Sequence, residues 1–482
     1  MGVPRYLLLC ASLFALLFAH SWSDAWIGDF WIYTATLREV AQSPLRPRHP
    51  LLGNDDPFVF VSPYTWVLGL ASRLSRLTAF QTLVAQGLVN LALLLAALWG
   101  FVRTWLRRPA AAFYALLFVL FLWGRDPWQF SGFFHLRSLA VVLPYPSTFA
   151  FGLALLTLAA FPGAVASGRL AWCASTLPVL ALLWILHPVN GLFLALGLVV
   201  SSVTIAGGRR RWELLALVFA ASLALAFAWP FFSVTDLWFG QLDRVHEGND
   251  TMYDAPLPRI APALLGAPWL LVRLRQNPRD PLTLLTLALG ALVFLGGLTG
   301  QFTLGRLVSH TAILLQISCA DACAALEERL RGVRWRRAVA PAAAAILVAV
   351  SWPGRVKPTI DESWRGDTAW LSFLETRVGP YAVVMTDLET CWYVPTFAGK
   401  VVAYPMQLPF VPDHEERVRR VERFFAPGVG RGERCETLRR FGAKYLLLDE
   451  SRVGPLIEEL RPLGESVYSG RGYELLRVAP CY

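Results

Sequence analysis

Two carboxylates stand where chemistry is most expected. Asp24 and Asp29 lie five positions apart in Ser23-Asp-Ala-Trp-Ile-Gly-Asp-Phe-Trp-Ile-Tyr33, directly after an apolar run that ends at Trp22. Carboxylates beside a bilayer cost free energy, so a functional role is the default expectation there. A carboxylate so placed can take the proton of an acceptor hydroxyl or hold that hydroxyl in line. A spacing of five puts two side chains about 140° apart on an ideal helix, so the pair need not share a face. The plainer reading is that both cap the amphipathic helix expected from Phe30 to Gln42.

Cations and histidines supply the second kind of chemistry. Arg306 and His310 sit one turn apart near the start of a late apolar run. Arginine suits a phosphate-bearing lipid because its guanidinium can bind in two-point fashion; the alternative is snorkelling to the interface. His187 opens the tight turn His187-Pro-Val-Asn-Gly191, as a substrate contact or an interfacial anchor. Arg125, His135 and Arg137 lie among aromatics and could serve the same end. Asp243, His246, Glu247 and Asp250 could ligate a divalent cation or form a solvated loop. Asp55 and Asp56, in Gly-Asn-Asp-Asp-Pro, read as turn chemistry before a metal or substrate site. There is no Walker sequence, Gly-x-Gly-x-x-Gly, Gly-x-Ser-x-Gly, His-Glu-x-x-His or Cys-x-x-Cys. That argues against an ATP-driven pump and a structural zinc, and leaves a divalent cation as the one possible cofactor.

The elements that position these residues are membrane helices. The chain has 482 residues, 55% hydrophobic and 16% charged, against roughly 25% charged in soluble proteins. Nucleic-acid binding is not expected, because the net charge of +10 comes from arginines in short loops. At roughly 17–25 residues per crossing, about eleven spans fit: 5–22, 79–102, 109–123, 139–161, 170–186, 190–206, 213–231, 259–273, 281–298, 303–322 and 338–353. The first is read as uncleaved. Tyr64 to Leu74 is too short to cross and reads as interfacial or re-entrant.

Arginines follow the second, sixth, eighth and tenth spans (Arg103, Arg107, Arg108; Arg209 to Arg211; Arg273, Arg275, Arg279; Arg329, Arg331, Arg334, Arg336, Arg337). The positive-inside rule then puts the N-terminus in the cytoplasm and the C-terminal part outside. Arg73 and Arg76 fall against that rule, on the outer side. Asp24, Asp29, His187 and Arg306 share that side.

The chain changes character near Gly354. Residues 1–353 read as a mainly α, polytopic transmembrane bundle, with 23–78 as its first extracytoplasmic loop. Residues 354–482 read as an extracytoplasmic α/β domain with a largely parallel sheet. Its strands are expected at 381–386, 400–404, 444–449 and 473–478, and its helices at 368–377, 413–425, 433–441 and 453–460. Cys10, Cys173, Cys319 and Cys323 read as small core hydrophobes. One disulfide is possible among Cys391, Cys435 and Cys481.

This layout resembles the GT-C class of integral-membrane glycosyltransferases. The resemblance rests on Asp29-Phe-Trp-Ile-Tyr33, on Ser62-Pro-Tyr-Thr-Trp-Val-Leu-Gly-Leu-Ala-Ser-Arg-Leu74, on Thr386-Asp-Leu-Glu-Thr390 with Pro395 to Gly399, and on Leu438 to Leu448. Position 30 is Phe30, where many relatives carry a second acid. The resemblance implies sugar transfer from a polyprenyl-phosphate donor to a glycan, lipid or protein acceptor at the outer face of a bacterial inner membrane. Asp29, or Asp24 in its place, would be catalytic. Arg306, His310, His187, Arg125 and His135 would meet the phosphate, and Tyr33, Trp31, Trp26 and Tyr64 the sugars. A flippase or transporter, or an envelope assembly factor, remains as the alternative. Transporters need polar groups along several spans, and here Asp321 is the exception.

Overall fold

A computed structural model of the chain describes residues 2–23, 26–166, 171–205, 208–241, 248–330, 332–333, 335–362 and 369–480. Asp24, Asp243, His246, Glu247, Arg331, Arg334 and Cys481 lie outside the described residues. The early helices are α1 (Gly2–Ser21), α2 (Asp29–Gln42), α3 (Pro63–Ser75), α4 (Ala79–Leu106) and α5 (Ala111–Phe121). Next come α6 (Leu136–Val142), α7 (Pro146–Ala166), α8 (Ala171–Leu186), α9 (Pro188–Thr204) and α10 (Arg209–Phe227). The last long ones are α11 (Ala267–Gln276), α12 (Pro281–Thr299), α13 (Leu307–Arg329), α14 (Arg336–Ser351), α15 (His414–Phe424) and α16 (Arg431–Arg440). Five strands follow the spans: β1 (Val383–Met385), β2 (Lys400–Val401), β3 (Ala443–Asp449), β4 (Gly464–Gly470) and β5 (Tyr473–Val478). The chain divides into two compact units. One holds Met1–Ala25, Val84–Trp229 and His246–Gly366; the other holds Trp26–Leu83, Pro230–Val245 and Asp367–Tyr482.

Seven described helical stretches are long and apolar enough to cross a membrane: Val3–Ser21, Ala79–Leu106, Pro146–Val165, Pro256–Gln276, Pro281–Thr299, Phe302–Arg329 and Ala338–Glu362. Ala111–Phe121, Trp172–Leu186 and Pro188–Thr204 are apolar but shorter. The first unit is built around α5 and α13. Every residue of α5 is buried, as expected of a helix that is apolar all round. It packs along α13, and Arg355 closes its end by donating to the carbonyls of Phe121 and Trp123 at 3.3 and 3.1 Å.

The C-terminal half of α13 gathers the loop arginines. Asp321 lies 2.9 Å from Arg108 Nε and 2.6 Å from Arg273 Nη1, and it accepts from Trp269 Nε1 at 2.8 Å. Arg273 also meets Asp280 at 2.6 Å. Six residues on, Glu327 accepts from Arg5 and from the Tyr114 hydroxyl, each at 3.0 Å. Each buried charge here has its opposite, which is the condition for burying it at all.

The second unit is a five-stranded sheet in the order β2-β1-β3-β5-β4. The expected largely parallel sheet is in fact mixed. β1 is parallel to both β2 and β3, whereas β5 is antiparallel to both β3 and β4. The extra strand, β4, enters through a hairpin whose two turn residues, Arg471 and Gly472, both have positive φ (55° and 78°). That is the type I′ geometry that matches strand twist.

Side chains alternate across the sheet with period two. Leu446 and Leu448 face a core with Leu438, Val421 and Phe424. Leu447 and Leu475 face another that contains Ile32 and Val40 of α2, with Leu51, Phe58 and Val61. The first loop therefore contributes seven of the twenty buried residues of this core. It also adds a parallel bridge, Leu52 to Val401, at the β2 edge. Beneath the bridge Lys400 Nζ contacts Glu39 Oε2 at 2.6 Å and donates to Pro50 O at 3.1 Å. Both side chains are about as buried as any charge can be, at 2% and 1% exposed.

Cys435 is disulfide-bonded. Cys10, Cys173, Cys319, Cys323 and the buried Cys391 are free.

Candidate functional site

Three helices of the first unit begin side by side. Pro146, Pro188 and Leu307 start α7, α9 and α13, and proline suits the first helical position because its missing N–H would be unsatisfied there anyway. Asn190, in the first turn of α9, joins the other two. Its Nδ2 donates to Ser147 O at 3.1 Å, and its Oδ1 lies 2.8 Å from His310 Nε2. Because the amide nitrogen is committed to a carbonyl, Nε2 of His310 must be the donor in that contact. His310 Nδ1 is 3.1 Å from Ser309 Oγ, which in turn lies 2.9 Å from Arg306 O.

Arg306 stands immediately before α13, at its N-cap. Its Nε donates to Asn249 Oδ1 at 2.8 Å and its Nη1 to Ser131 Oγ at 3.4 Å. The guanidinium carbon lies 5.9 Å from the centre of the Phe130 ring. Ser131 Oγ also lies 3.4 Å from His187 Nε2. His187 caps α9 by accepting from Asn190 N at 3.3 Å, so its other nitrogen carries the proton toward Ser131. Arg306, His310 and His187 thus belong to one hydrogen-bonded group. The starts of α7 and α9 each add partial positive charge of the kind that favours an anion, although the N–H groups of Thr148, Asn190, Gly191 and Leu307 are already engaged locally. Asn190, Asn249, Ser131 and Phe130 complete the group and were not anticipated from sequence, although Asn190 stands inside the His-Pro-Val-Asn-Gly turn.

The loop that carries Phe130 and Ser131 is held from beneath. Gly124 N donates to Arg259 O at 2.9 Å, and a Cβ at Gly124 would run into Pro258 O. His135 belongs to this scaffold. Its Nδ1 caps α6 from Ser138 N at 3.3 Å and its Nε2 pairs with Trp128 O at 3.1 Å. Burial pushes its imidazole down to about 3, against the opposing pull of that carbonyl. Arg125 is exposed and paired with Asp126 at 3.4 Å. Arg137 meets Glu362 at 3.3 Å. These three do not join the Arg306 group.

In the second unit Asp29 is the first residue of α2 and is half-buried. The capping position belongs to Gly28, with φ 59° and no side-chain cap, so capping does not account for Asp29. The neighbouring aromatics pack inward. Trp31 donates to Trp26 O at 3.0 Å, and its ring lies 5.0 Å from that of Tyr393. Trp26 stacks on Phe30 at 4.4 Å, and Tyr33 meets Phe60 edge-on at 5.1 Å. Tyr64 is buried in the first turn of α3, behind the Ser62–Thr65 capping box. Among the described residues no group of three or more His, Cys, Asp or Glu side chains is placed to hold a metal ion.

No protein-family model matches the sequence. No curated protein matches it either. Solved structures do. ArnT from Cupriavidus metallidurans bound to undecaprenyl phosphate is 13% identical, with 99% of each chain covered and a TM-score of 0.59. The apo oligosaccharyltransferase of Archaeoglobus fulgidus is 13% identical over 93% of this chain and 71% of its own, with a TM-score of 0.57. The arabinofuranosyltransferase AftD from Mycobacteria is 16% identical over all of this chain and 40% of its own, also at 0.57. At such identities the likeness is one of fold, and the chain carries the fold of the GT-C glycosyltransferases.

Proposed function

We propose that the protein is a membrane glycosyltransferase that takes a sugar from a polyprenyl-phosphate donor and passes it to a glycan, lipid or protein acceptor at the outer face of a bacterial inner membrane. The observation that carries this reading is the Arg306–His187–His310 group at three converging helix starts. In the transfer, the bond between the sugar's anomeric carbon and the phosphate oxygen breaks, and the acceptor oxygen bonds to that carbon. The polyprenyl phosphate leaves with the extra negative charge, which Arg306 and the helix starts stabilise. The acceptor's proton goes to a carboxylate, assigned to Asp29 on the sequence grounds above, with Asp24 as the alternative base. The whole-length likeness to ArnT bound to undecaprenyl phosphate supports the choice of donor. The disulfide at Cys435 supports a C-terminal unit in an oxidising compartment outside the cytoplasm.

The test is transfer of radiolabel from polyprenyl-phosphate sugars into an envelope extract by detergent-purified protein. Loss of a catalytic base lowers the rate by about 10²–10⁴-fold. That loss in Asp29→Asn but not Asp24→Asn assigns Asp29, and the reverse moves the base back. A wild type that binds the donor and never transfers, with an acceptor pool shown competent by another enzyme, refutes the reading in favour of a transporter.

A further inference from the structure

A cavity lies in the C-terminal unit, at the end of the sheet where β3 begins and β5 finishes. Its volume is about 610 Å³. Arg439 enters it from the last turn of α16, Lys444 from the start of β3 and Arg477 from the end of β5, while Tyr445 and Pro480 supply apolar wall. Among the described residues none that lines it is acidic.

Several arginines of this unit are tied to carboxylates, and the three cations of the cavity are not. Arg417, Arg419, Arg423, Arg434, Arg440 and Arg461 each have a carboxylate at 2.7–3.4 Å. Among the described residues Arg439, Lys444 and Arg477 have none; Arg377, which donates to Val467 O, and Arg431 also lack one but lie outside the cavity. Glu465 stands opposite Arg477 in the β4–β5 register, yet no ion pair forms between them. Three like charges around one concavity repel one another, and an anion between them removes that repulsion. The positions are not left to chance. Arg439 follows Cys435, the disulfide-bonded residue, by one helical turn on α16, and the other two stand on paired strands.

We propose that this cavity binds a phosphorylated saccharide. The cations account for the phosphate, in the charge-assisted manner arginine favours. The size lies within the range of about 300–1,000 Å³ typical of small-ligand clefts and suits one or two sugar rings. Tyr445 offers a ring face of the kind that amphipathic ligands use. A concave site favours such a ligand over the plane of a membrane. The inference goes beyond the transferase reading and stands or falls without it, because no donor or transfer is needed to observe binding.

The experiment is calorimetric titration of the full-length protein in detergent micelles with maltose 1-phosphate. Maltose, inorganic phosphate and dihexanoyl phosphatidylglycerol are titrated in parallel. Maltose 1-phosphate is expected to bind with an affinity that falls as salt rises. The triple variant Arg439→Gln/Lys444→Gln/Arg477→Gln is expected to weaken it by about tenfold or more. Arg419→Gln, on an arginine already paired, is expected to leave it unchanged. The triple variant's melting curve, matched to wild type, separates lost binding from lost folding. Equal binding by wild type and triple variant overturns the proposal. So does heat from the phospholipid alone, or binding of inorganic phosphate as tight as that of the phosphosugar.

Discussion

Asn190 holds His310 Nε2 at 2.8 Å across 120 positions of sequence, while its other amide atom holds the second residue of α7. One small side chain therefore fixes three helix starts in register. Replacing it by alanine leaves a buried histidine donor without its acceptor, at about 1–3 kcal/mol, and removes the tie to α7. Asn190→Ala is expected to lower the melting temperature. If the three starts form the phosphate site, it should also shrink the thermal shift given by undecaprenyl phosphate, and a full-sized shift on the destabilised variant would break that link.

Arg306 is aimed by Asn249 through Nε and by Ser131 through Nη1. Lysine keeps the charge but cannot make both contacts at once. Arg306→Lys is expected to weaken binding of undecaprenyl phosphate by about tenfold, since each lost charge-assisted hydrogen bond is worth roughly 1.5–3 kcal/mol. Asn249→Ala should give a milder loss in the same direction. Titration of the lipid phosphate into each variant measures both, and a lysine variant as tight as wild type would remove Arg306 from the site.

Asp321 sits between Arg108 and Arg273 and is almost fully buried. Removing one member of a buried pair costs about 3–5 kcal/mol, because the partner charge is left behind. Asp321→Ala is expected to be severely destabilised, while Asp321→Asn, which keeps a hydrogen-bond acceptor for Trp269, should lose less. Chemical denaturation in mild detergent separates the two, and equal stability of the alanine variant and wild type would show the network to be dispensable.

Lys400 carries a pH signature. Burial pushes its ammonium down to about 8 from an ordinary 10.5, with Glu39 opposing that shift. Between those values the unfolded chain holds a proton that the folded one has released. Stability from this group therefore rises with pH across that window, by up to about 3 kcal/mol. The double variant Glu39→Gln/Lys400→Met lacks the titration. The stability difference, wild type minus double variant, should climb from pH 8 to 10.5, and a flat difference would place the lysine's titration elsewhere.

The apolar runs made most of the helical fold legible, because a helix in lipid must be apolar over its whole length. They did not reveal that one apolar run forms a helix as short as Ala111–Phe121, which lies buried among other helices. β4 was missed because Gly464 and Gly470 bound it and its polar residues face solvent, although Arg471-Gly472 was the turn signal. Arg306, His310 and His187 were legible as types, and the structure brings them together. Their neutral partners Asn190 and Asn249 were not, since an amide in a turn looks like ordinary loop chemistry until its distant partner is known. Glu39 and Lys400 were invisible for the same reason.

The core that joins Ile32 to Leu475 has a consequence in time. A ribosome adding about 5–20 residues per second needs roughly twenty to ninety seconds to travel from one to the other. Through that interval the segment from Trp26 to Leu83 has emerged without the sheet it is to cover. Ile32, Leu51 and Phe58 are then bare to solvent, and Leu52 offers an unpaired edge. A holding factor or a protease meeting the nascent chain would find its target there, and a stalled or truncated product would be marked for removal by the very residues that the finished protein hides.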